Sequence, residues 1–483
     1  MDPRWIHSRL LFLVTVVAGF AGPLTALRGE QSEVAAPKRP NILFLYLDDL
    51  GWKDTGFMGS DFYETPHLDQ LARGGTVFTS AYACAANCAP SRAGLLSGQY
   101  APRHRIFNVG TGPRGDARFR RLLHVPGTRT LDSRIVTWAE VLRDQGYATG
   151  MFGKWHLGNT PGQQGFKTAV NHRKLPGFKG HRGPEGAYLA DVLTERTMDF
   201  IREHREQPWC AYLAHFAVHT PLQAKRSLLA KYRAKPAGKL HRHVAMATMI
   251  QAVDDGVGRI RKLLDELQLA ENTLILFTSD NGGFGPATDM DPLWGYKGTY
   301  YEGGIRVPFF VHWPGVVPAG KTCDEPIIGV DLYPTLLAVA GASTPDQPLD
   351  GRNLLPLWRG EIATLGARPL YWHFPAYLQS YKVIDEQRDA LFRTRPCSVV
   401  RLGDWKLHQY FEDGGWELYN LRDDVRERHN LVKTHPDQAR QLQQLLRDWQ
   451  RDIGAPLPER PNPKYDAQFE AAALARRAAQ QNP

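Results

Sequence analysis

The chain has 483 residues, of which 42% are hydrophobic and 23% are charged, and these fractions are typical of a globular protein. Its formal net charge of +9 favours acidic partners, but the sequence contains no nucleic-acid-binding motif. We therefore expect no nucleic acid among its partners. The length allows one large domain and a smaller one.

Residues 1–26 have the pattern of a secretory signal peptide. Two arginines precede an apolar run over 10–20, and small residues then lead to a cleavage site after Ala26. An uncleaved anchor is the alternative, but glycine and proline interrupt the run, which is short for a membrane span. We expect an exported protein, periplasmic, secreted or lumenal, that is not an integral membrane protein after cleavage. Residues 27–40 are predicted to be a linker.

Four continuous apolar runs predict strands that are buried on both faces of a parallel sheet. Each run ends in polar residues, and helical patterns separate the runs, at 137–145, 188–204 and 244–267. This alternation predicts an α/β fold with a doubly wound, mostly parallel sheet, in which ligands bind at the carboxyl ends of the strands. The four runs are 42–47, 147–152, 210–216 and 274–278.

From about residue 365 the pattern changes to short strands separated by turn residues. These strands, with a helix at 436–452, predict a small antiparallel sheet that carries one helix. The strands are 399–402, 405–410 and 416–419. The predicted organisation is a main domain over 41–364, a C-terminal α+β subdomain over 365–465, and a tail over 466–483 that is frayed from Ala471.

Residues 88–98 place a reactive side chain at the start of a helix. Pro90 is favoured in a first helical turn, so Cys88 lies at the helix entrance, where free N–H groups and the helix dipole favour an anion. Arg92 lies four residues further on and therefore shares a helix face with Cys88. The alternative is a buried structural cysteine before an ordinary helix.

The cysteines are odd in number, at positions 84, 88, 210, 323 and 397. This count predicts one chemically special cysteine and up to two disulfides among the others. Cys84 and Cys88 have a spacing that a metal or redox pair could use, but no second pair accompanies them at zinc-site spacing.

Three carboxylates and one amide follow two of the predicted strands. Asp48 and Asp49 end the first run, and Asp280 and Asn281 follow the last. Carboxylate and amide oxygens suit Ca²⁺ or Mg²⁺ better than zinc. We expect Ca²⁺, with Mg²⁺ as the alternative, because its flexible shell suits this charge and ligand number. A helix cap and an Asn-Gly turn are the structural alternatives.

The segment Cys88-x-Pro90-Ser91-Arg92 resembles the C-x-P-S-R signature of the type I sulfatases. Further landmarks follow in the order of that family, and the resemblance covers roughly residues 40–430. The family usually has proline where Val218 stands here. The landmarks are G-K-W-H-L-G at 153–158, His219 before Thr-Pro, Lys297, E-G-G-I-R-V-P at 302–308 and E-L-Y-N-L at 417–421.

The resemblance implies an alkaline-phosphatase-like fold and makes 41–364 the catalytic domain of a sulfuric ester hydrolase. It also implies that a formylglycine-generating or equivalent maturation enzyme oxidises Cys88 before the protein works. The implied metal ligands are Asp48, Asp49, Asp280, Asn281 and a formylglycine oxygen at Cys88. The implied catalytic residues are Cys88, Arg92, Lys154, His156, His219 and Lys297.

In the implied reaction, one hydroxyl of the hydrated aldehyde attacks sulfur while the metal, Lys154 and Lys297 neutralise the sulfate oxygens. His219 or Lys297 protonates the leaving oxygen, and His156 removes a proton from the second hydroxyl. Arg92 holds the diol in place.

Two basic segments follow these motifs and predict loops that contact an acidic saccharide, although a solvent-facing loop is the alternative for each. The first is the arginine-rich segment 103–129, where Arg118, Arg120 and Arg121 are the expected contacts. The second runs over 172–182 and includes His172, Arg173, Lys174, Lys179, His181 and Arg182.

We expect a sulfated glycan or another sulfated small molecule as the substrate. Trp294, Tyr300 and Tyr301 are candidates for stacking on a sugar or an aryl group. The alternatives are an arylsulfatase of broad specificity, a phosphate-ester or phosphonate hydrolase, and a non-catalytic protein that binds polyanions.

Overall fold

The computed structural model describes residues 39–171, 175–381 and 388–481, together with Leu13 and Thr15. The predicted signal peptide and most of the predicted linker lie outside the described residues, as do His172, Arg173 and Lys174. Within the described residues, no helix has the length and apolar character that crossing a membrane requires.

The described strands and helices alternate over most of the chain. The strands are β1 (Asn41–Leu47), β2 (Thr76–Phe78), β3 (Ala81–Tyr82), β4 (Ala148–Gly153), β5 (Thr168–Asn171), β6 (Trp209–Ala214), β7 (Thr273–Ser279), β8 (Phe310–His312), β9 (Lys321–Cys323), β10 (Ile327–Ile328), β11 (Pro369–Phe374), β12 (Leu378–Gln379), β13 (Phe392–Thr394), β14 (Cys397–Leu402), β15 (Trp405–Tyr410) and β16 (Trp416–Asn420). The α-helices are α1 (Pro66–Arg73), α2 (Cys88–Ser97), α3 (Ala101–His104), α4 (Trp138–Asp144), α5 (Leu189–Glu203), α6 (Leu229–Ala234), α7 (Val244–Glu266), α8 (Glu302–Ile305), α9 (Leu332–Ala340), α10 (Leu355–Trp358), α11 (Pro436–Asp452) and α12 (Ala467–Gln481). Short 3₁₀-helices lie at Gly56–Met58, Ala117–Phe119, Pro161–Gln164, Pro184–Gly186, Arg226–Leu228, Ala270–Asn272 and Gly329–Asp331.

The main sheet has the strand order β5-β4-β6-β1-β7-β8-β2-β9. Its middle strands β4, β6, β1 and β7 pair in parallel, whereas β8 is antiparallel to both β7 and β2. The four predicted apolar runs are these four middle strands, lying side by side. Their carboxyl ends therefore meet at one edge of the sheet, where a ligand site is expected.

Helices cover both faces of the main sheet. On β1, Phe44 belongs to a core with Trp138 of α4 and Leu336 of α9. Its neighbour Leu45 points to the other face and packs in a core with residues of α5 and α7. Because successive strand residues point to opposite faces, a strand that is apolar throughout fits this three-layer arrangement. The predicted doubly wound α/β fold is confirmed.

A second, antiparallel sheet has the order β11-β14-β15-β16. Leu442 and Leu446 of α11 pack against Val399 and Leu407 of this sheet. The small antiparallel sheet with one helix is therefore confirmed, with β11 as a strand that the sequence did not reveal. The described residues from Arg39 onward group into one compact unit by their contacts, and the boundary near residue 365 remains a prediction.

The predicted frayed tail is wrong, because the segment forms helix α12. Phe469 stacks on Phe119 with ring centroids 5.1 Å apart. The buried Glu470 accepts hydrogen bonds from Arg395 (2.8 Å) and from the hydroxyl of Tyr465 (2.8 Å). Alanine, arginine and glutamine are strong helix formers, and these contacts anchor the helix they form.

The predicted disulfides are absent. All five cysteines lie among the described residues, and all five are free. Cys84 and Cys397 are buried in the core beneath the antiparallel sheet, and Cys210 is buried in the core of the main sheet. Each thiol there acts as a small apolar side chain.

Candidate active site

Helix α2 begins at Cys88 and has Pro90 in its first turn, as predicted. The Cys88 side chain is 1% exposed. Its Sγ lies 3.2 Å from Nζ of Lys297 and 3.8 Å from Oδ1 of Asp49. Burial raises the pKa of the Cys88 thiol to about 12, despite the nearby Lys154 and Lys297. An unmodified thiol at this position is therefore a poor nucleophile at neutral pH.

The predicted oxygen ligands meet at the ends of β1 and β7. These strands pair with Leu47 opposite Ser279, which places Asp48 and Asp49 beside Asp280 and Asn281. The backbone N–H of Asp49 donates to Oδ1 of Asp280 (3.2 Å), and Nδ2 of Asn281 donates to Oδ1 of Asp49 (2.9 Å). Potential ligand atoms of Asp48, Asp49, Asp280 and Cys88 all lie within 4.8 Å of one another.

This cluster has the properties of a cation site. Oδ1 of Asp48 and Oδ1 of Asn281 are buried and have no hydrogen-bond partner among the described residues. Burial raises the pKa of Asp280 to about 7, and the negative charge of Asp48 contributes to this rise because the two carboxylates repel each other. A divalent cation would bind the unpaired oxygens and balance the charge, and oxygen donors of this kind suit Ca²⁺ or Mg²⁺.

Three cationic side chains surround the carboxylates. Nε and one terminal nitrogen of Arg92 donate to Oδ2 of Asp280 (2.9 and 2.7 Å), and the other donates to the carbonyl oxygen of Lys154 (3.0 Å). Lys154 pairs with Asp48. Nζ of Lys297 lies 2.6 Å from Oδ1 of Asp49. Burial alone would lower the pKa of Lys297, but Asp49 holds that pKa well above its usual value, so this lysine is charged.

His156 follows β4 in a left-handed backbone conformation, with φ of 65°. Burial lowers the pKa of His156 to about 3, and the positive charges of Lys154 and Arg92 contribute to this shift. The ring is therefore neutral at pH 7.

His219 lies beside the carboxylates, with Nε2 3.8 Å from Oδ2 of Asp49. Its Nδ1 lies 2.7 Å from the carbonyl oxygen of Thr220, so Nδ1 carries a proton and donates it to that oxygen. The preceding Val218 donates its backbone N–H to the carbonyl oxygen of Asp48 (2.6 Å), a hydrogen bond that proline could not make.

A cavity of about 1400 Å³ opens above these groups. The structure therefore brings all ten predicted site residues together. Those that line the cavity are Asp49, Cys88, Lys154, His156, His219 and Lys297, and those buried behind them are Asp48, Arg92, Asp280 and Asn281.

Two arginines of the segment 103–129, Arg114 and Arg129, line the cavity. The segment therefore reaches the cavity with only part of its basic residues. The prediction for Arg118, Arg120 and Arg121 is wrong. Arg118 is paired with Asp116 (2.6 Å), Arg121 is paired with Glu470 (3.5 Å), and Arg120 lies over the ring of Tyr377. These arginines hold the segment against the C-terminal part of the chain.

The described residues of the second basic segment do not line the cavity, but one of them supports the backbone of His219. His181 is buried, and its Nε2 lies 2.8 Å from the carbonyl oxygen of His219. Arg182 donates to the carbonyl oxygen of Ala224 (3.0 Å), and Lys179 is exposed away from the cavity-lining residues.

The predicted aromatic contacts are also wrong. Tyr300 and Tyr301 are each 3% exposed and belong to the core, and Trp294 packs on Tyr301. Among the described residues of the C-terminal region, Tyr381 and Arg393 are the aromatic and the basic side chain that line the cavity. Neither stands in a motif, so no sequence signal distinguished them.

Residues 40–342 match the family model described as Sulfatase, and residues 293–452 match the model described as N-sulphoglucosamine sulphohydrolase, C-terminal. The chain belongs to the sulfatase family. This sulfatase is a sulfuric ester hydrolase, and the comparisons favour that activity over phosphate-ester hydrolysis or polyanion binding alone.

Named relatives extend over most of this sulfatase. It is 31% identical to a sulfatase of Formosa agariphila, over 91% of this chain and 95% of the relative. It is 29% identical to the N-acetylgalactosamine-6-sulfatase of Canis lupus familiaris, over 88% and 82% of the two chains. The crystal structure of Ps i-CgsB in complex with k-i-k-neocarrahexaose has a TM-score of 0.71 and 30% identity, over 91% of this chain and 98% of that one.

Proposed function

We propose that this sulfatase removes sulfate from a sulfated carbohydrate, using a formylglycine nucleophile made from Cys88 and a bound Ca²⁺. The observation that carries the proposal is the position of Cys88, buried at a helix start between Lys297 and the carboxylate cluster. The relatives named above include an N-acetylgalactosamine-6-sulfatase and a protein in complex with a neocarrahexaose, which supports a carbohydrate substrate.

Asp48, Asp49, Asp280 and Asn281 would hold the cation, with a formylglycine oxygen at Cys88. Two unpaired buried oxygens support this assignment. A bound Ca²⁺, or Mg²⁺ in its place, would act as a Lewis acid at the sulfate oxygens. Ca²⁺ is the first choice because its coordination tolerates an irregular oxygen set, whereas Mg²⁺ demands a near-ideal octahedron.

The lysines supply fixed positive charge to the sulfate. Lys154 and Lys297 both line the cavity and approach the nucleophile from different elements, the end of β4 and the segment after β7. As the ester bond of a sulfate ester breaks, negative charge moves toward the leaving oxygen. Positively charged groups that are already in place therefore stabilise the transition state more than the ground state.

Proton transfer is assigned to the two histidines. His156 lines the cavity with a neutral ring, and we assign to it the removal of a proton from the second hydroxyl of the hydrated aldehyde at residue 88. His219 protonates the leaving oxygen, because the raised pKa of Lys297 makes that lysine a weak acid. His181 holds the backbone of His219 in position.

We infer that the chain is exported and that its maturation includes an enzyme that oxidises Cys88. The pattern of residues 1–26 supports export. N-terminal sequencing of the protein recovered outside the cytoplasm, with a new terminus near residue 27, would support the first inference. An intact Met1 on that protein would contradict cleavage.

The decisive experiment co-expresses the chain with a formylglycine-generating enzyme and measures release of inorganic sulfate from defined sulfated saccharides. Mass spectrometry of the peptide that contains Cys88 gives the modified fraction, and turnover should scale with that fraction. Cys88→Ala should fold and bind Ca²⁺ more weakly, and it should have no activity. Full activity in protein whose residue 88 is entirely unmodified cysteine would refute the proposal.

A further inference from the structure

Arg393 is an arginine in the cavity wall whose partners in the described part of the chain are all neutral. It is 6% exposed on β13. Its Nε donates to the carbonyl oxygen of Gln379 (2.9 Å), and a terminal nitrogen donates to the carbonyl oxygen of Lys297 (3.2 Å) and to the hydroxyl of Tyr381 (2.6 Å). Burial lowers the pKa of Arg393, which shows that the uncompensated charge is costly.

The guanidinium lies close to the reacting centre. The central carbon of the guanidinium is 4.0 Å from the centroid of the Tyr381 ring. The guanidinium donates to the backbone carbonyl of Lys297, and the side chain of that same lysine has its Nζ 3.2 Å from Sγ of Cys88. Gly298 leaves room for it, because a Cβ there would lie 3.0 Å from the Arg393 terminal nitrogen. Gly298 also has φ of 93°, a conformation that glycine adopts without strain.

Arg114 adds a second positive charge at the same wall. Its backbone N–H donates to the carbonyl oxygen of Tyr377 (3.1 Å), and a Cβ on Gly115 would lie 2.7 Å from the ring of Phe392. The loop is thereby held beside Arg393. The exposed Arg114 side chain lines the cavity. The pKa of Arg393 is lowered mainly by its own burial, and the positive charge of Arg114 lowers it further.

The charge of the cavity is unbalanced. Asp49 is the one acidic residue among the described residues that line it. Lys154 and Lys297 are paired with Asp48 and Asp49. The other cationic lining residues have no ion pair with an acid in the described part of the chain, and these are Arg114, Arg129, Lys167 and Arg393.

We propose that Arg393, with Arg114 beside it, binds a second anionic group of the substrate, a sulfate or a carboxylate on the sugar next to the scissile sulfate. This inference rests on the proposed function and deepens it, because it makes the preferred substrate a saccharide with at least two negative charges. Arg393 suits this task because its guanidinium is always charged and because its second terminal nitrogen, which has no hydrogen-bond partner among the described residues, can donate to an oxyanion of either kind. Arg393 is a specificity residue and takes no part in sulfate-ester cleavage.

The test compares KM for Arg393→Gln and Arg114→Gln on matched substrates. These are a disulfated oligosaccharide that the wild type hydrolyses, the same saccharide with the scissile sulfate alone, and a monosulfated analogue with a uronic acid neighbour. Arg134→Gln is the control, since it removes one positive charge from an exposed arginine outside the cavity lining.

Arg393→Gln should raise KM for a doubly anionic substrate by about 10-fold or more at low salt, the order expected for a lost charge-assisted hydrogen bond. KM for the monosulfated saccharide and kcat for all substrates should change less than about twofold. Comparing the disulfated and uronate substrates shows which anion is recognised. If Arg393→Gln does not fold, the same selectivity in Arg114→Gln, whose side chain is exposed, decides the question.

An equal rise in KM on all substrates, or no rise on either doubly anionic substrate, would overturn the second anion site while leaving the proposed function intact. A wild type with modified Cys88 that hydrolyses no sulfate ester would refute the proposed function itself.

Discussion

Arg92 and Asp280 form an ion pair in which two guanidinium nitrogens donate to the same carboxylate oxygen, and both side chains are fully buried. The third nitrogen donates to the backbone of Lys154. Arg92 therefore connects Asp280 of the carboxylate cluster to the segment that carries Lys154. The geometry needs a planar group with several fixed donors, which lysine does not have.

We expect Arg92→Lys to lower kcat/KM by about 10- to 100-fold, since it loses charged hydrogen bonds that contribute about 1.5–3 kcal/mol each. Arg103→Lys is the control, because Nε of Arg103 also donates to one carboxylate, that of Asp350, but Arg103 is partly exposed and outside the cavity lining. Steady-state kinetics on one substrate would test both. Equal losses in the two variants would contradict the role of Arg92.

Removal of Oδ1 of Asn281 should weaken cation binding without changing the charge of the site. We expect Asn281→Ala to lower Ca²⁺ affinity by at least about 10-fold, since even the loss of an outer partner of a ligand typically costs 10- to 100-fold. Ca²⁺ titration of the chelator-treated protein, with metal analysis, measures this directly. Activity that survives complete chelation would exclude the assigned cation.

Buried neutral histidines should make the fold sensitive to acid. Burial lowers the pKa of His215 to about 3, and neither ring nitrogen has a partner among the described residues. The unfolded chain binds a proton at His215 near pH 6.5 and the folded chain does not, so this contribution to stability is present above pH 6.5 and is lost as the pH falls.

For His215 alone, the loss is at most about 1.4 kcal/mol of unfolding free energy per pH unit below 6.5. Urea unfolding of the wild type and of His215→Phe between pH 4.5 and 7.5 would measure it. The variant should have the shallower dependence on pH. Identical slopes would mean that the folded protein accommodates a charged His215.

Lys406 should be essential for stability. It is fully buried and pairs with Glu302 (2.9 Å) and Glu427 (3.0 Å), linking β15 to the start of α8. Lys406→Met removes the cation that the buried Glu302 and Glu427 share, which should cost about 3–5 kcal/mol of unfolding free energy.

Lys262→Met is the control for that variant, because Lys262 is exposed and its pair with Glu266 spans 3.7 Å. Its expected cost is about 0.5 kcal/mol or less. Chemical denaturation of both proteins would compare them, and similar small losses would show that the buried network is not needed.

The central fold was predictable because each middle strand is apolar on both faces and ends in polar residues. β1 and β7 are the clearest examples, and their pairing places Asp48 and Asp280 together without any further information. The start of α2 was predictable for a similar reason, since Pro90 and Arg92 fix its position and the face it presents. Local pattern and tertiary structure agree at these places.

Contacts between distant segments were not predictable. Arg118 and Arg393 are both arginines without a motif, yet one is paired with Asp116 on the surface and the other lines the cavity. Tyr301, which aromatic character made a candidate for sugar binding, belongs to the core. Charge and aromaticity give the capacity for a contact, and the packing of the C-terminal segment decides which contact is made.

The depth of Cys88 sets an order of events during biosynthesis. Small molecules can reach the floor of the cavity, but a side chain that is 1% exposed at the start of a fully buried helix cannot enter the active site of another enzyme. The maturation enzyme proposed above would therefore have to act on the chain before α2 docks on the sheet. Molecules that fold before this step would keep an unmodified Cys88 thiol. The active fraction of a purified preparation would then be constant and would not increase with time.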